Sequence, residues 1–281
     1  MKILVCGGDE RSVYLAQLLQ EDGHEVACFG LDRAELPSGC HSTTVPVEAE
    51  AVILPVPAED AQGFLNAPFG VQPCRIERIL DCTGSGAVLI GGALSAGIRA
   101  AAAQRGMEAY DYMRSSDFTA RNAAITAEGA VSELMKKTKT ALCDMRILVV
   151  GWGRIGKLLI NKLRALCPAL YLMSRNSEAR ALARELGCAS IAPDCPSELL
   201  GSFDAVINTA PAPVIADLRA FRDSCILLEL ASAPGGLGAV CAEDGGPELS
   251  ILRGLPGRYA PESAARAVHE AVSDILKGVV S

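Results

Sequence analysis

Twice in this chain a short run of apolar, β-forming residues ends in glycine and gives way at once to an amphipathic helical pattern. The first is Met1-Lys2-Ile3-Leu4-Val5-Cys6-Gly7-Gly8-Asp9, followed by Val13, Leu15, Ala16, Leu18 and Leu19 at helical spacing. The second is Met145-Arg146-Ile147-Leu148-Val149-Val150, followed by Gly151-Trp152-Gly153-Arg154-Ile155-Gly156 and a helical pattern through Leu166. A β-run that hands over to a helix through glycine opens a βαβ unit, in which parallel strands are joined by a right-handed crossover. Two such openings in 281 residues predict two α/β domains.

The remaining pattern extends both units. Further strands are expected at 25–29, 51–54, 87–90 and 107–110, then at 170–173, 189–191, 205–208, 225–230 and 248–252. These runs are short and continuously apolar, as strands covered on both faces must be. Helices are expected at 94–104 and around 178–186, 196–200 and 214–220. Residues 117–139 carry no strand pattern and read as a helical connector with Lys136, Lys137 and Lys139 at its exposed end. The last helix, 261–279, keeps Ala264, Ala267, Val268, Ala271 and Ile275 in register. The expected fold class is α/β: two Rossmann-like doubly wound parallel-sheet domains joined by a helical connector. By analogy with two-domain dehydrogenases, the C-terminal helix is expected to pack back on the first domain.

Charge and composition narrow the partners. Lys plus Arg number 26 against 33 Asp plus Glu, a net charge of −7. So acidic a surface argues against nucleic-acid binding, which needs a cationic face. No run reaches the ~20 apolar residues of a membrane span; the nearest, 87–98, is broken by Gly91, Gly92, Ser95 and Gly97. The N-terminal apolar run is too short for a secretory signal. Eleven cysteines without a Cys-x-x-Cys pair, and three dispersed histidines, predict no metal site and no disulfide framework. A cytoplasmic protein with reduced thiols is expected.

Gly151-x-Gly153-x-x-Gly156 has the dinucleotide-binding form. Gly151 would make the tight turn, Gly153 would let a diphosphate reach the backbone, and Gly156 would let helix and strand pack closely. Trp152, Arg154 and Ile155 fill the loop, and the helix start offers its N–H groups to the anion. The next strand ends in Met173-Ser174-Arg175-Asn176, where an NAD site would carry a carboxylate. Arg175 suits a 2′-phosphate, with Ser174 and Asn176 as further donors, so the cofactor expected is NADP. The competing explanation is a solvent-exposed arginine at a strand end. Thr209-Ala210-Pro211 and the segment Glu229-Leu230-Ala231-Ser232 follow later strands, where the nicotinamide half is expected. Gly7-Gly8-Asp9-Glu10-Arg11 lacks the motif, and its acid would repel a diphosphate. Either Arg11 faces a substrate carboxylate, or Asp9 caps the helix and Arg11 lies on the surface. Thr126 and Glu128 likewise have two explanations: a helix cap with a first-turn acid, or, with Asn122, groups at a cleft between the domains.

In these segments the chain resembles the dipicolinate synthase A-subunit family nearly end to end. The shared segments are Gly7-Gly8-Asp9-x-Arg11, Leu54-Pro55-Val56-Pro57, Asn122-x-x-x-Thr126-x-Glu128-Gly129 and the 151–156 loop. They continue through Asn208-Thr209-x-Pro211, Leu230-Ala231-Ser232-x-Pro234-Gly235-Gly236 and Gly254-Leu255-Pro256-Gly257 with Ala260-Pro261. The resemblance implies NADP-dependent oxidation of dihydrodipicolinate to dipicolinate in spore formation, together with the flavoprotein-like B-subunit of dipicolinate synthase. It implies a small dicarboxylate substrate, for which the candidates to hold it are Arg11, Asn122, Thr126 and Ser232, and the candidate bases are Glu128 and Asp9. Arg114, Arg121 and Arg154 are further carboxylate-binding candidates, and a homo-oligomer is compatible with the sequence. The chain departs from the family at Ile125, where proline is usual, and at Glu262, where lysine is usual. It departs also in Ala233-Pro234-Gly235-Gly236-Leu237-Gly238, which lacks the family's arginine and aspartate. Two alternatives are a two-domain dehydrogenase of a hydroxy or amino acid and a non-catalytic NADP-binding regulatory or assembly subunit. The expected division is a substrate-side domain at 1–116, the connector at 117–140, the NADP-binding domain at 141–260 and the C-terminal helix at 261–281.

Overall fold

The computed structural model describes residues 1–84, 86–215, 217–232, 235–237 and 246–280. The chain divides into two compact units, Met1–Asn122 with Pro256–Ser281, and Ala123–Leu255. Among the described residues the α-helices are α1 (Glu10–Glu21), α2 (Ile76–Cys82), α3 (Ala96–Gln104), α4 (Ser116–Lys137), α5 (Arg154–Leu163), α6 (Ser177–Glu185), α7 (Ser197–Leu200), α8 (Leu255–Tyr259) and α9 (Pro261–Val280).

The first unit is built on six parallel strands: β1 (Lys2–Cys6), β2 (Glu25–Phe29), β3 (His41–Thr43), β4 (Ala51–Ile53), β5 (Val88–Gly91) and β6 (Glu108–Asp111). Their order is β3-β2-β1-β4-β5-β6. Alternate residues of β1 serve two cores, because successive side chains leave a strand on opposite faces. Ile3 and Val5 join Leu15, Leu19, Val268 and Val272 from α1 and α9. Leu4 and Cys6 join Ile76, Ile79, Leu80 and Ile98 from α2 and α3. Small residues at Ala264, Ala265, Ala267 and Ala271 let α9 lie close on α1. Each of Val268, Val272 and Leu276, buried in that packing, stabilises it by about 1.5–3 kcal/mol. His269 Nε2 adds a 2.8 Å contact to Asp22 Oδ2 just beyond the end of α1. The C-terminal helix therefore returns to the first unit, as expected.

The second unit repeats the plan with β7 (Arg146–Val150), β8 (Ala169–Met173), β9 (Ala189–Ile191), β10 (Ala205–Asn208), β11 (Ile226–Glu229) and β12 (Leu249–Ile251), all parallel. The order β12-β11-β10-β7-β8-β9 matches that of the first sheet. Ile147 and Val149 face the cluster that holds Leu159, Ile160 and Leu163 of α5 and Ala127, Ala130 and Leu134 of α4. Leu148 and Val150 face Phe203, Leu218 and Phe221. In each sheet the chain reverses direction of travel beside the first strand, leaving a switch point between β1 and β4 and another between β7 and β10. Such points are where α/β sheets hold ligands, outside the carboxyl ends of the strands.

Two expectations change. The helix expected at 214–220 is reduced among the described residues to a 3₁₀ turn, Leu218–Ala220, because the Asp217 carboxylate accepts from Arg219 N and starts the turn there. Thr126 is not a helix cap: α4 begins at Ser116, and Thr126 is buried in its interior with Glu128 well past its first turn. No helix among the described residues is long and apolar enough to cross a membrane.

Candidate functional site

At the carboxyl end of β7, Gly151 takes φ +100°, and its N–H donates to Met173 O at 2.9 Å. A side chain at this φ would be strained, and its Cβ would lie 2.7 Å from Thr209 Oγ1. A Cβ on Gly156 would run into the Gly151 carbonyl oxygen. Gly153 is the opposite case: nothing lies within 4 Å of where its Cβ would be. It caps α5 without any side-chain bond. An open backbone face at an uncapped helix start fits the diphosphate of a dinucleotide. Arg154 is exposed, Ile155 and Trp152 pack on the core, and Lys157 Nζ lies 5.9 Å from the Trp152 ring centroid.

Beside this loop, β8 ends in Ser174-Arg175-Asn176. Ser174 is buried, and its Oγ accepts from Asn176 N at 3.3 Å. The Asn176 side chain is committed to capping α6, accepting from Glu178 N and Ala179 N at 2.8 and 3.2 Å. Arg175 is exposed. A second arginine, not singled out from the sequence, reaches the same turn: Arg180 Nη1 donates to Ser174 O at 2.6 Å and Arg175 O at 3.0 Å. The strand end thus carries two guanidinium groups and no carboxylate of its own, a chemistry that suits a 2′-phosphate.

On the other side of β7, Thr209 N and Oγ1 both donate to Val150 O, at 2.8 and 2.9 Å. Ala210 N donates to Asn208 Oδ1 at 3.1 Å, and Pro211 is exposed. The sequence did not reveal that Glu229, the last residue of β11, is wholly buried with its carboxylate among N–H donors. Ser232 is exposed nearby in sequence. Of the loop that departs from the family, Ala233, Pro234 and Gly238 lie outside the described residues.

In the first unit, Gly7 and Gly8 take φ +57° and +89° and bring the chain into α1. Asp9 caps that helix, accepting from Arg11 N at 3.1 Å. Arg11 Nε and Nη2 also donate to Asp9 Oδ1 and Oδ2, each at 2.8 Å, and Nη2 reaches Val56 O at 3.1 Å. Both sequence explanations meet here, except that Arg11 is not a surface residue: its side chain is 11% exposed. Burial is the largest single influence and opposes its charge, but the hydrogen bond and the negative charge of Asp9, with a smaller contribution from Tyr112, together hold the guanidinium above its ordinary value. The adjoining cavity, about 20 Å³ and lined by Asp9, Arg11, Ser12, Val56 and Tyr112, has room for a water and not for a ring diacid.

Within α4, Asn122 is half-buried and Thr126 buried, while Glu128 is exposed and paired with Lys162 Nζ of α5 at 2.8 Å. Arg114 and Arg121 are exposed. The described geometry therefore gathers the residues of the nucleotide loop, the β8 end and the β10 end around one sheet edge of the second unit. Asp9 and Arg11 form a separate pair in the first unit.

Residues 2–113 match the family model described as the dipicolinate synthase A-subunit N-terminal domain. The curated dipicolinate synthase A-subunit of Bacillus subtilis (strain 168) is 27% identical over 286 residues, 98% of this chain and 96% of that protein. The crystal structure of the dipicolinate synthase A chain from Bacillus subtilis aligns with a TM-score of 0.80 at 26% identity, covering 99% of this chain and 96% of that one. That of the dipicolinate synthase A-subunit from Bacillus halodurans aligns with a TM-score of 0.84 at 23% identity, covering 98% and 97%; this second likeness is one of fold.

Proposed function

We propose that the chain, which resembles the dipicolinate synthase A-subunit family, oxidises dihydrodipicolinate to dipicolinate with NADP as the cofactor. The observation that supports NADP over NAD is the end of β8, where Arg175 and Arg180 stand in place of a ribose-binding carboxylate. Arg175 would fork onto the 2′-phosphate, and Arg180 holds the turn that presents it. Gly151, Gly153 and Gly156 would receive the diphosphate with the Arg154 and Ile155 backbone at the start of α5. Thr209, Ala210 and Pro211 would border the nicotinamide half.

The dinucleotide supplies the hydride acceptor. Oxidation of the dihydropyridine removes a hydride from one ring carbon and a proton from elsewhere in the ring. Aromaticity drives the step, so the chain needs to hold the ring and offer a modest base. In this reading the Asp9–Arg11 pair and its water-sized cavity open when the diacid binds, Arg11 exchanging part of its bond to Asp9 for a substrate carboxylate and Asp9, released, taking the proton. Glu128, held by Lys162, is the second candidate base, and Asn122, Thr126 and Ser232 are donors to the diacid. The flavoprotein-like B-subunit of dipicolinate synthase is the partner this reading implies.

The test mixes purified chain with dihydrodipicolinate and NADP, with and without the B-subunit, and follows NADPH absorbance. A signal in either mixture is expected; no signal in both refutes the reading.

A further inference from the structure

We infer that Glu229 is a positioning residue, a buried anion that fixes the turns after β10 and β11 in the shape that receives the nicotinamide end of the dinucleotide. The inference rests on the nucleotide-binding reading above and adds to it a role for Glu229, which the sequence marked only as the head of the segment that ends a strand.

Glu229 and Asn208 are register partners at the last positions of β11 and β10, on the sheet edge where ligands bind. Glu229 is 0% exposed. Its Oε1 accepts from Asn208 Nδ2 at 2.8 Å and from Ala231 N at 2.9 Å. Its Oε2 accepts from the same Asn208 nitrogen at 3.0 Å and from Leu237 N at 2.7 Å. These partners all donate, the pattern of an ionised carboxylate, which only accepts. Charge-assisted bonds of this kind are roughly twice as strong as neutral ones, so one side chain fastens three separate pieces of the chain.

The fastening reaches both turns. Asn208, held by the carboxylate, bonds Ala210 at both ends of its amide, to the carbonyl at 2.9 Å and from the N–H at 3.1 Å. Gly235, at φ +78°, has no side chain to strike Glu229 Oε2, which would stand 2.8 Å from its Cβ. Gly236 lies so close that a Cβ would come within 2.8–2.9 Å of Ala210 O, Asn208 Nδ2 and Ala212 O. Thr209, inside the same turn, touches the phosphate-loop strand through Val150 O. The carboxylate therefore sets Asn208 to Pro211 against Ala231 and Gly235 to Leu237, and none of these bonds runs from it directly to the phosphate loop or to Arg175.

That separation makes the inference testable by binding. Glu229→Gln keeps the volume but puts an NH₂ group against a donor, which frees one of the three pieces. Binding of NADP⁺ and of 2′-phospho-ADP-ribose, which lacks the nicotinamide end, is measured by calorimetry, with circular dichroism to check folding. We expect E229Q to bind 2′-phospho-ADP-ribose within about twofold of the unaltered chain and NADP⁺ about tenfold more weakly. Equal loss on both ligands, or no loss on either, overturns the positioning role. An unaltered chain that binds neither ligand removes the nucleotide reading itself, and the inference with it. Should E229Q fail to fold, Gly236→Ala carries the same expectation, since its Cβ pushes Gly235 to Leu237 away from Asn208 and Ala210 without touching the carboxylate; NADP⁺ binding unchanged in G236A overturns the inference.

Discussion

Asp9 and Arg11 hold each other at the start of α1 through two bonds of 2.8 Å, one to each carboxylate oxygen. The same carboxylate caps the helix and lies against Gly257, where any Cβ would strike it. One side chain thus joins a helix start, a buried cation and the turn of α8. Removing its charge leaves the guanidinium buried and half-satisfied, the expensive direction in which to break an ion pair. Asp9→Asn keeps a good cap and loses the charge. Because Asp9 is 28% exposed, water softens the loss, and we expect about 1–3 kcal/mol. Urea unfolding reads it as a lower midpoint at unchanged slope; an unchanged midpoint contradicts the pairing.

The three loop glycines make separable predictions. Gly156→Ala forces a methyl onto the Gly151 carbonyl, which is backbone and cannot rotate away. It should lower the melting temperature and abolish dinucleotide binding together. Gly153→Ala meets no atom within 4 Å and sits at an ordinary φ of −78°, so its cost to the fold should be only that of a poorer helix cap, about 1 kcal/mol. If a diphosphate approaches that face, the methyl stands in its way, and affinity should fall by about tenfold or more, beyond what so small a stability loss explains. Thermal shift and titration calorimetry on the two variants check this; G153A binding at full strength would move the diphosphate elsewhere.

Cofactor choice should follow the β8 end. With Arg175 as the proposed 2′-phosphate partner, Arg175→Asp should reverse the preference between NADP and NAD. Arg180→Ala keeps Arg175 but releases the carbonyls of Ser174 and Arg175. It should weaken NADP by a smaller factor and leave NAD nearly unchanged. Dissociation constants for both nucleotides decide the matter, and unchanged NADP affinity in R175D removes Arg175 from the site.

Elements whose own residues carry the pattern were legible in the sequence. The run Ile3 to Cys6 is apolar because both faces of β1 are covered, and the glycine loop declares itself by spacing. The edge strand β3 did not show, since His41-Ser42-Thr43 has no apolar alternation and is a strand only through pairing with Ala27 to Phe29. The short α2, seven residues long, also passed unnoticed. Thr126 misled because a threonine followed by Glu128 imitates a cap, whereas no proline interrupts 116–137 and Ser115 Oγ already bonds Phe118 N at the true start. Asp9 and Arg11 were ambiguous, as two residues of separation allow both a cap and a fork. Glu229 was legible only as the head of a strand-end segment, and its burial and bonding were not: its donors come from positions 208, 231 and 237, which no local pattern brings together.

The cysteines give a prediction about alkali. Burial pushes the Cys28, Cys188 and Cys225 thiols up to about 12 from an ordinary value of 9.0. At pH 8 only about one in ten thousand of such thiols is ionised, and the thiolate is the reacting form. Iodoacetamide on the native chain should therefore label the exposed Cys82 and Cys143 first, with Cys28, Cys188 and Cys225 protected until denaturant is added. Between pH 9 and 12 the unfolded chain gives up these protons while the folded chain keeps them, so the unfolded state binds fewer protons and stability falls as pH rises. Below pH 9 the same groups contribute their full share. Urea midpoints measured from about pH 8 to 10.5 should decline, most steeply above 9, and peptide mapping after alkylation should show the same three cysteines becoming reactive as the fold is lost. Early labelling of Cys188 or Cys225 in the native chain would mean that the second sheet opens far more readily than its packing implies.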